Sequence, residues 1–332
     1  MSNKLVSLIV VTRGLKDYPL ALLDSIKQQT YSHLEIKLID NSLDPIFSQK
    51  ISKKYPAIDI YQSPKNIFYC QALNIGIRQS KGDFILCLND DVILDQRFIE
   101  EALRAFEIDH KIGMVSGKIL RSDKLTIDST GLFLSLWRSA KERGYSLEDK
   151  GQFERQAYIF GVNGAVAFYR REMLESIKID SEYFDEDHRI FYEDLDVAWR
   201  GQRLGWKAYY VPKAIAYHIR GGTIRETGGI AKPYARKYLS DELHADLIKN
   251  RYLTIIKNES LLSFFLHLPL IFCYDLLAWG YILFFKPRML KTLFLNLKYL
   301  KSAFKKRKLI KKNLFYRREM ELCKTAKRLK NT

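Results

Sequence analysis

Cysteine is scarce in this chain and widely scattered. Cys70, Cys87, Cys273 and Cys323 include no pair at CxxC spacing, and no histidine lies close enough in sequence to complete a metal cluster. A disulfide framework and a cysteine-based zinc site are therefore excluded, and the thiols read as reduced residues of a cytosolic compartment. Glycine-rich phosphate loops are also missing. Neither GxGxxG nor a Walker motif occurs, so the common dinucleotide and ATP readings lack their motifs. No internal repeat or low-complexity linker interrupts the 332 residues. A secretory leader is not expected, because the apolar run 5–11 has no small-residue cleavage pattern and passes directly into Thr12-Arg13-Gly14. Acids are nearly absent from the end of the chain. After residue 285, seventeen Lys and Arg face only Glu319 and Glu321, so the first 285 residues carry just +2 of the net +17. A near-neutral body with a polybasic tail points to an anionic partner surface, either phospholipid or nucleic acid.

What is present begins with a 47% apolar content, enough for a sizeable core. The first hundred residues alternate strand and helix patterns. Residues 5–11, 34–40, 58–61 and 84–88 read as strands. Residues 18–29, 66–79 and 98–106 carry apolar side chains at helical spacing. This alternation predicts an α/β fold with a mostly parallel sheet and helices on both faces. Ligands of such sheets bind beyond the carboxyl ends of the strands. Three polar clusters occupy that position: Thr12-Arg13, Asp40-Asn41-Ser42 and Asn89-Asp90-Asp91. Residues 110–160 are less regular, and 156–170 reads as a further strand region containing Gly161 and Gly164. Residues 191–205 open with acids and continue as a helix. Short strands are expected at 207–211 and 215–218, followed by a loop at 219–227 rich in Gly and Arg.

The character changes near residue 261. Residues 261–285 are largely aliphatic and aromatic, and as one helix they would extend about 37 Å, longer than a bilayer core of about 30 Å. Yet they contain His267, Pro269 and Asp275. A central Asp costs about 2.5–3.5 kcal/mol in a spanning helix, and Pro269 is expected to split the run. Leu290, Leu293, Phe294, Leu297 and Phe304 then follow amphipathic spacing, with Lys298, Lys301 and Lys305 on another face. Association in the membrane plane is expected rather than spanning.

Five segments in order resemble the inverting family 2 glycosyltransferases of GT-A fold, especially a rhamnosyltransferase-like branch. They are SLIVVTRG, LIDNSLD, NIFYCQALNIGIRQSKGDFILCLNDDV, VNGAVAFYRREML and FYEDLDVAWRGQRLGWKAYYVPKAIAYHIRGG. The resemblance covers roughly residues 4–225 and implies a catalytic domain at 1–230. A helical region follows at 231–332, with the apolar segment and basic tail.

By that resemblance, Thr12, Arg13, Asp40, Asn66, Asn89 and Asp90 would border the nucleotide. Asn89-Asp90-Asp91 stands where the family has its DxD motif, with Asn89 in place of the first acid. Asp91 and His218 would hold Mg²⁺ or Mn²⁺. Gly164 and Glu193 would face the donor sugar and acceptor, and Asp194 would be the catalytic base, with Glu193 or Asp196 as alternatives. Such chemistry needs these groups. A divalent cation offsets charge on the leaving diphosphate, and a carboxylate base contributes roughly 10²–10⁴-fold. Asp194 has a lesser alternative reading as a helix N-cap, and His218 taken alone reads as an ordinary hydrogen-bonded histidine. Arg220 and Arg225 read as phosphate grips or solvated charges, and Trp199 and Trp206 as core.

The implied function is transfer of a sugar from a UDP- or dTDP-sugar to a glycan or lipid-linked acceptor during cell-surface polysaccharide synthesis. The expected place is the cytoplasmic face of the membrane, against anionic lipid, with no nucleic-acid partner and with a homo-oligomer left open. Two other classes compete. One is a nucleic-acid-binding protein using the tail, and the other is a catalytically silent scaffold that binds nucleotide without turnover.

Overall fold

A computed structural model describes residues 4–14, 17–219 and 239–330, with side chains described through residue 315. The first half builds β1 (Val6–Thr12), α1 (Tyr18–Lys27), β2 (Leu34–Asp40), α2 (Pro45–Lys54), β3 (Asp59–Gln62), α3 (Phe68–Gln79), β4 (Phe84–Asn89), β5 (Val92–Leu94), α4 (Phe98–Ile108) and β6 (Ile112–Arg121). Then come β7 (Ile127–Ser129), β8 (Leu132–Leu134), β9 (Ala140–Glu142), β10 (Ala157–Ile159), β11 (Val166–Arg170), α5 (Arg171–Ile177), a 3-10 turn (Glu186–His188), α6 (Glu193–Arg203) and β12 (Lys207–His218). The last helices are α7 (Asp241–Asn258), α8 (Leu261–Phe285), α9 (Met289–Leu295) and α10 (Lys298–Lys330).

The main sheet runs β10-β12-β6-β11-β4-β1-β2-β3. Strands β4, β1, β2 and β3 are parallel, as the alternation predicted. Strand β11 runs antiparallel between β4 and β6, and β12 returns parallel to β6. Alternate residues of β1 serve two cores. Val6, Leu8 and Val10 pack with Leu22, Leu23 and Ile26 of α1 and with Phe98 and Ile99 of α4. Ile9 and Val11 pack against Leu73 and Ile77 of α3, in the core that also takes in Met173 and Val197 of α5 and α6. This period-2 division is what a sheet covered on both faces requires. Gly76 permits the close approach of α3, since a Cβ there would lie 2.4 Å from Ile9 Cγ2. Trp199, Trp206, Cys70 and Cys87 are all buried, as core residues should be.

Three expectations are corrected. The irregular stretch after residue 110 contains β6, ten residues long and buried throughout. Its polar members Ser116, Lys118 and Arg121 broke the apolar run that would have marked it. The two short strands after residue 206 form one strand, β12, whose register shifts between Val211 and Ile215 around Pro212. Pro269 does not split its segment, because α8 is continuous over 25 residues with the proline inside. One proline removes a single i→i−4 bond, and the turns on either side carry the helix through.

Candidate active site

The parallel strands place the polar clusters on one edge. In register, Thr12 lies beside Asp40 and Val11 beside Asn89, so β1, β2 and β4 end together. Thr12 is buried, and its Oγ1 donates to Asp90 Oδ2 at 2.6 Å. Burial lifts Asp90 to about 6, with the Thr12 hydrogen bond opposing it. Arg13 is exposed at the same edge. Asp40 is fully buried. Its Oδ1 accepts from Ser42 N at 2.8 Å and its Oδ2 accepts from Ser48 Oγ. Asp40 thus braces the corner, while its buried neighbour Asn41 ties the corner to the segment before α3. Asn41 Nδ2 donates to Asn66 Oδ1 at 2.9 Å, and its Oδ1 accepts from Ile67 N at 3.0 Å.

Beyond Asn89 the chain turns into β5, which pairs antiparallel with the end of β12 so that His218 lies opposite Val92. Asp91 is therefore adjacent, with Oδ1 at 3.2 Å from His218 Nε2. The other ring nitrogen, Nδ1, is 2.9 Å from Asp128 Oδ2. Burial alone would lower the imidazole's pKa, but the hydrogen bonds and charges of Asp128 and Asp91 outweigh it and lift the ring to about 9. Asp128 lies in β7, in the stretch with no clear periodicity, and no signal in the sequence marked it.

Opposite this edge stand two acids at the start of α6. Asn89 N donates to Ala165 O at 3.0 Å, which fixes the 163–165 segment against the end of β4. Gly164 N donates to Asp194 Oδ2 at 3.1 Å, and Asp194 Oδ1 accepts from Leu195 N at 2.7 Å. Tyr69 OH donates to Gly164 O at 3.0 Å. A Cβ on Gly164 would lie 3.0 Å from Glu193 Oε1 and 3.3 Å from Asp194 Oδ2, so a larger residue would push the two carboxylates by a few tenths of an ångström. Burial, then the charge of Asp194, raises Glu193 to about 8. Burial also raises Asp194, but its two backbone N–H donors oppose the shift. The backbone N–H donors favour the charged form of Asp194, so within the pair Glu193 is the acid that holds a proton more readily. Two acids whose environments push them apart are the pattern of an assigned acid–base pair.

Asp196, the other alternative base, is turned into the interior. Its oxygens meet Arg200 Nε at 2.9 Å, Lys257 Nζ at 2.8 Å and Asn258 Nδ2 at 2.7 Å. The nearby charge of Lys257 and Arg200 overrides burial and holds it well below the ordinary carboxylate range. A carboxylate so engaged serves the fold, and the candidate base narrows to Glu193 and Asp194. Asp185, His188 and Asp196 converge closely enough to hold a cation. Asp185 and Asp196 already share the Lys257 ammonium, while His188 Nε2 bonds Thr254 Oγ1 at 3.1 Å. That trio is a buried charge knot and lies apart from Asp91 and His218.

The acids are reached through a strained turn. Arg189, Phe191 and Tyr192 all have positive φ, at 64°, 72° and 66°. Asn250 of α7 holds this turn, with Nδ2 within 2.7–2.8 Å of the carbonyls of His188, Ile190 and Phe191. The sequence held no sign of Asn250, since its partners lie sixty residues away. Arg220 and Arg225 lie outside the described residues.

The profile of "Glycosyl transferase family 2" matches residues 7–178. The poly-beta-1,6-N-acetyl-D-glucosamine synthase of Staphylococcus aureus (strain COL) is 26% identical over 219 residues, covering 64% of this chain and 49% of that protein. The Staphylococcus epidermidis protein of the same name is 24% identical over 226 residues, with the same coverage. The chain thus spans about half the length of these curated relatives. Among solved structures, GalNAc-T7 with UDP, GalNAc and Mn²⁺ superposes with a TM-score of 0.57 at 14% identity, over 76% of this chain and 48% of that one. The mannosyltransferase PcManGT from Pyrobaculum calidifontis, in complex with GDP-Man and Mn²⁺, gives 0.52 at 18% identity, over 90% and 75%. With a profile spanning more than half its length and a fold shared with these solved structures, this chain belongs to glycosyl transferase family 2 and has the GT-A fold.

Proposed function

We propose that this enzyme transfers a sugar, with inversion, from a UDP- or dTDP-sugar to a glycan or lipid-linked acceptor in cell-surface polysaccharide synthesis. One observation carries the reading. The Asn89-Asp90-Asp91 edge and the Glu193–Asp194 pair face a shared segment, joined through Asn89 N to Ala165 O and Gly164 N to Asp194 Oδ2. A donor bound across Thr12, Arg13, Asn66, Asn89 and Asp90 would present its sugar toward Gly164. Asp194 accepts the proton of the attacking hydroxyl, and protonated Glu193 keeps a second negative charge away from the acceptor. Asp40 acts by holding the corner that shapes the base pocket.

The residues fit a divalent cation. Asp91 would offer a carboxylate oxygen and His218, on giving up the proton it shares with Asp91, its Nε2, while Asp128 on Nδ1 fixes the ring in the orientation that a ligating histidine needs. An oxygen and imidazole donor set suits Mn²⁺, with Mg²⁺ the alternative. When bound, the ion supplies positive charge that stabilises the departing diphosphate. N-acetylhexosamines lead the candidate donor sugars, ahead of galactose and rhamnose, because the staphylococcal relatives are named for N-acetylglucosamine polymer synthesis. The apolar α8 and the basic tail support work at the cytoplasmic face of a membrane.

The test is the melting temperature of the detergent-purified protein with UDP, dTDP, GDP or CMP, each with and without Mn²⁺. Stabilisation by one nucleoside diphosphate only when metal is present is the expected result. No shift with any nucleotide, together with salt-sensitive binding of nucleic acid, overturns the proposal. Asn89 is the feature that favours a silent scaffold, and that reading requires nucleotide binding with no release of nucleoside diphosphate from any donor.

A further inference from the structure

The helix α8 is two-sided in an unusual way. One stripe faces the protein: Ser263, His267, Ile271, Tyr274, Asp275, Trp279 and Ile282 are buried or half-buried. This stripe carries every strongly polar side chain of the helix, and each is bonded. Arg138 Nη2 donates to Ser263 Oγ at 2.8 Å and to His267 Nδ1 at 2.9 Å. Arg251 Nη1 donates to Asp275 Oδ1 at 2.5 Å, and Trp279 Nε1 to Tyr252 OH at 2.9 Å. The outward arc holds no charged residue. Leu262, Phe265, Leu266, Leu277 and Phe284 are examples, the last 84% exposed. An arc of this size facing water marks a contact surface.

A second element lies against α8. The turn between β8 and β9 is pinned to it by Arg138, which also bonds Glu259 just before the helix begins. The Trp137 ring stacks on Tyr274 of α8, with centroids 6.1 Å apart and planes 9° apart, and Lys141 Nζ lies 4.6 Å from the other ring's centroid at Trp137. Leu136 at the tip is 58% exposed and Phe133 43%. An amphipathic cluster of Trp, Tyr and Lys beside exposed Leu and Phe is the composition of a membrane–water boundary.

We propose that the outer arc of α8 and the tip of the β8–β9 hairpin form one ridge that lies in the plane of an anionic lipid monolayer. This rests on the reading that the enzyme works at a membrane, and adds which residues meet the lipid and how the helix lies. Spanning would pull α8 off the body, carry Asp275 into hydrocarbon and break the bonds of Arg138 and Arg251 to the helix, at about 2.5–3.5 kcal/mol for the Asp alone. A second copy is disfavoured as occupant. Exposed Arg288, Lys291, Lys298 and Lys301 border the apolar surface, and a two-fold contact would bring like charges together where anionic head groups would neutralise them. The hairpin's other end reaches the acids. Glu142 accepts from Asn163 Nδ2 at 2.6 Å, and Asn163 immediately precedes Gly164. At about 3.3 Å per residue, at most about 20 Å of strand separates Leu136 from Glu142, so the ridge fixes the height of the acid pair above the lipid.

The experiment uses the full chain with Cys273 and Cys323 changed to Ser and one cysteine placed at Leu136 or Leu277, labelled with an environment-sensitive fluorophore. Vesicles are phosphatidylcholine with or without phosphatidylglycerol. Both labels are expected to shift to the blue with the anionic vesicles. Both should be quenched more by nitroxides near the head group than by nitroxides at the acyl end. Leu136→Glu should lower vesicle partition about tenfold, the loss of one buried leucine, while leaving the Mn²⁺-dependent nucleotide melting shift unchanged. A label at Leu277 that shifts alone removes the hairpin from the ridge. Deeper quenching at Leu277 makes α8 a spanning helix, and a blue shift without vesicles in a protein that is dimeric by light scattering makes the occupant a second copy. The melting shift is read on the same samples, so failure of lipid docking is separable from failure of the glycosyltransferase reading.

Discussion

Asp194 and Glu193 differ in what their surroundings ask of them, and the difference is measurable. Asp194→Asn removes the charged base and is expected to lower kcat by about 10²–10⁴-fold with little change in KM. Glu193→Gln imitates the protonated state and is expected to cost less than tenfold; equal losses from both changes would contradict the assignment of roles. A second prediction concerns pH. Burial, then Asp194, raises Glu193 from an ordinary 4.5 to about 8. A carboxyl raised by folding stabilises the native state while it is protonated. That contribution is complete below about pH 4.5 and is lost as the pH climbs toward 8. The melting temperature of the metal-free wild type should therefore fall more steeply between pH 5 and pH 8 than that of Glu193→Gln, and parallel curves would refute it. At Asp128, replacement by Asn should weaken Mn²⁺ binding by about 10–100-fold by loosening the His218 ring, as measured by titration calorimetry. Most of these residues were legible because acids that end apolar runs stand out. Asp128 and Asn163 were not, because they lie where no run frames them. The role of Asp40 was hidden for another reason: its strand-end position could be read, but not that Ser42 and Ser48 occupy its carboxylate.

At the scale of elements, the alternation of strand and helix was readable wherever a strand was purely apolar. Strand β6 escaped because Ser116, Lys118 and Arg121 sit inside it, and Lys118 is satisfied by Asp149 and Glu154 thirty residues on. Long-range partners of this kind leave no local trace. Helix α7 is the larger surprise. Its polar face, which by itself suggests exposure, is buried against the acid-bearing segment through Lys249, Asn250, Lys257 and Asn258. Asn250→Ala would leave three carbonyls of the strained turn without their donor. It should lower stability by about 1–3 kcal/mol and reduce kcat, while the conservative Asn250→Gln recovers part of the stability only. Lys257→Met would leave Asp185 and Asp196 buried without their shared ammonium, with an expected cost of about 3–5 kcal/mol by denaturant unfolding.

The whole molecule is organised between a polar strand-end edge and an apolar helix. The aliphatic and aromatic run announced the second of these from the sequence, but not that α8 remains one helix or that Asp275 is neutralised by Arg251. Attachment through basic residues beside an apolar arc should weaken, without vanishing, as salt rises toward molar strength, because only the electrostatic part is screened. The knot of Lys257, Lys306, Asp185 and Asp196 bears on modularity. Lys306 of α10 reaches Asp185 at 2.5 Å and Asp187 at 3.0 Å. Much of the counter-charge for Asp185 and Asp196 is therefore supplied from far downstream in the chain. A fragment ending before α7 would strand several buried carboxylates at once and should not fold. Recombination that exchanged only the sugar-handling portion between relatives would fail for the same reason, so the two halves of this enzyme are bound to diverge together.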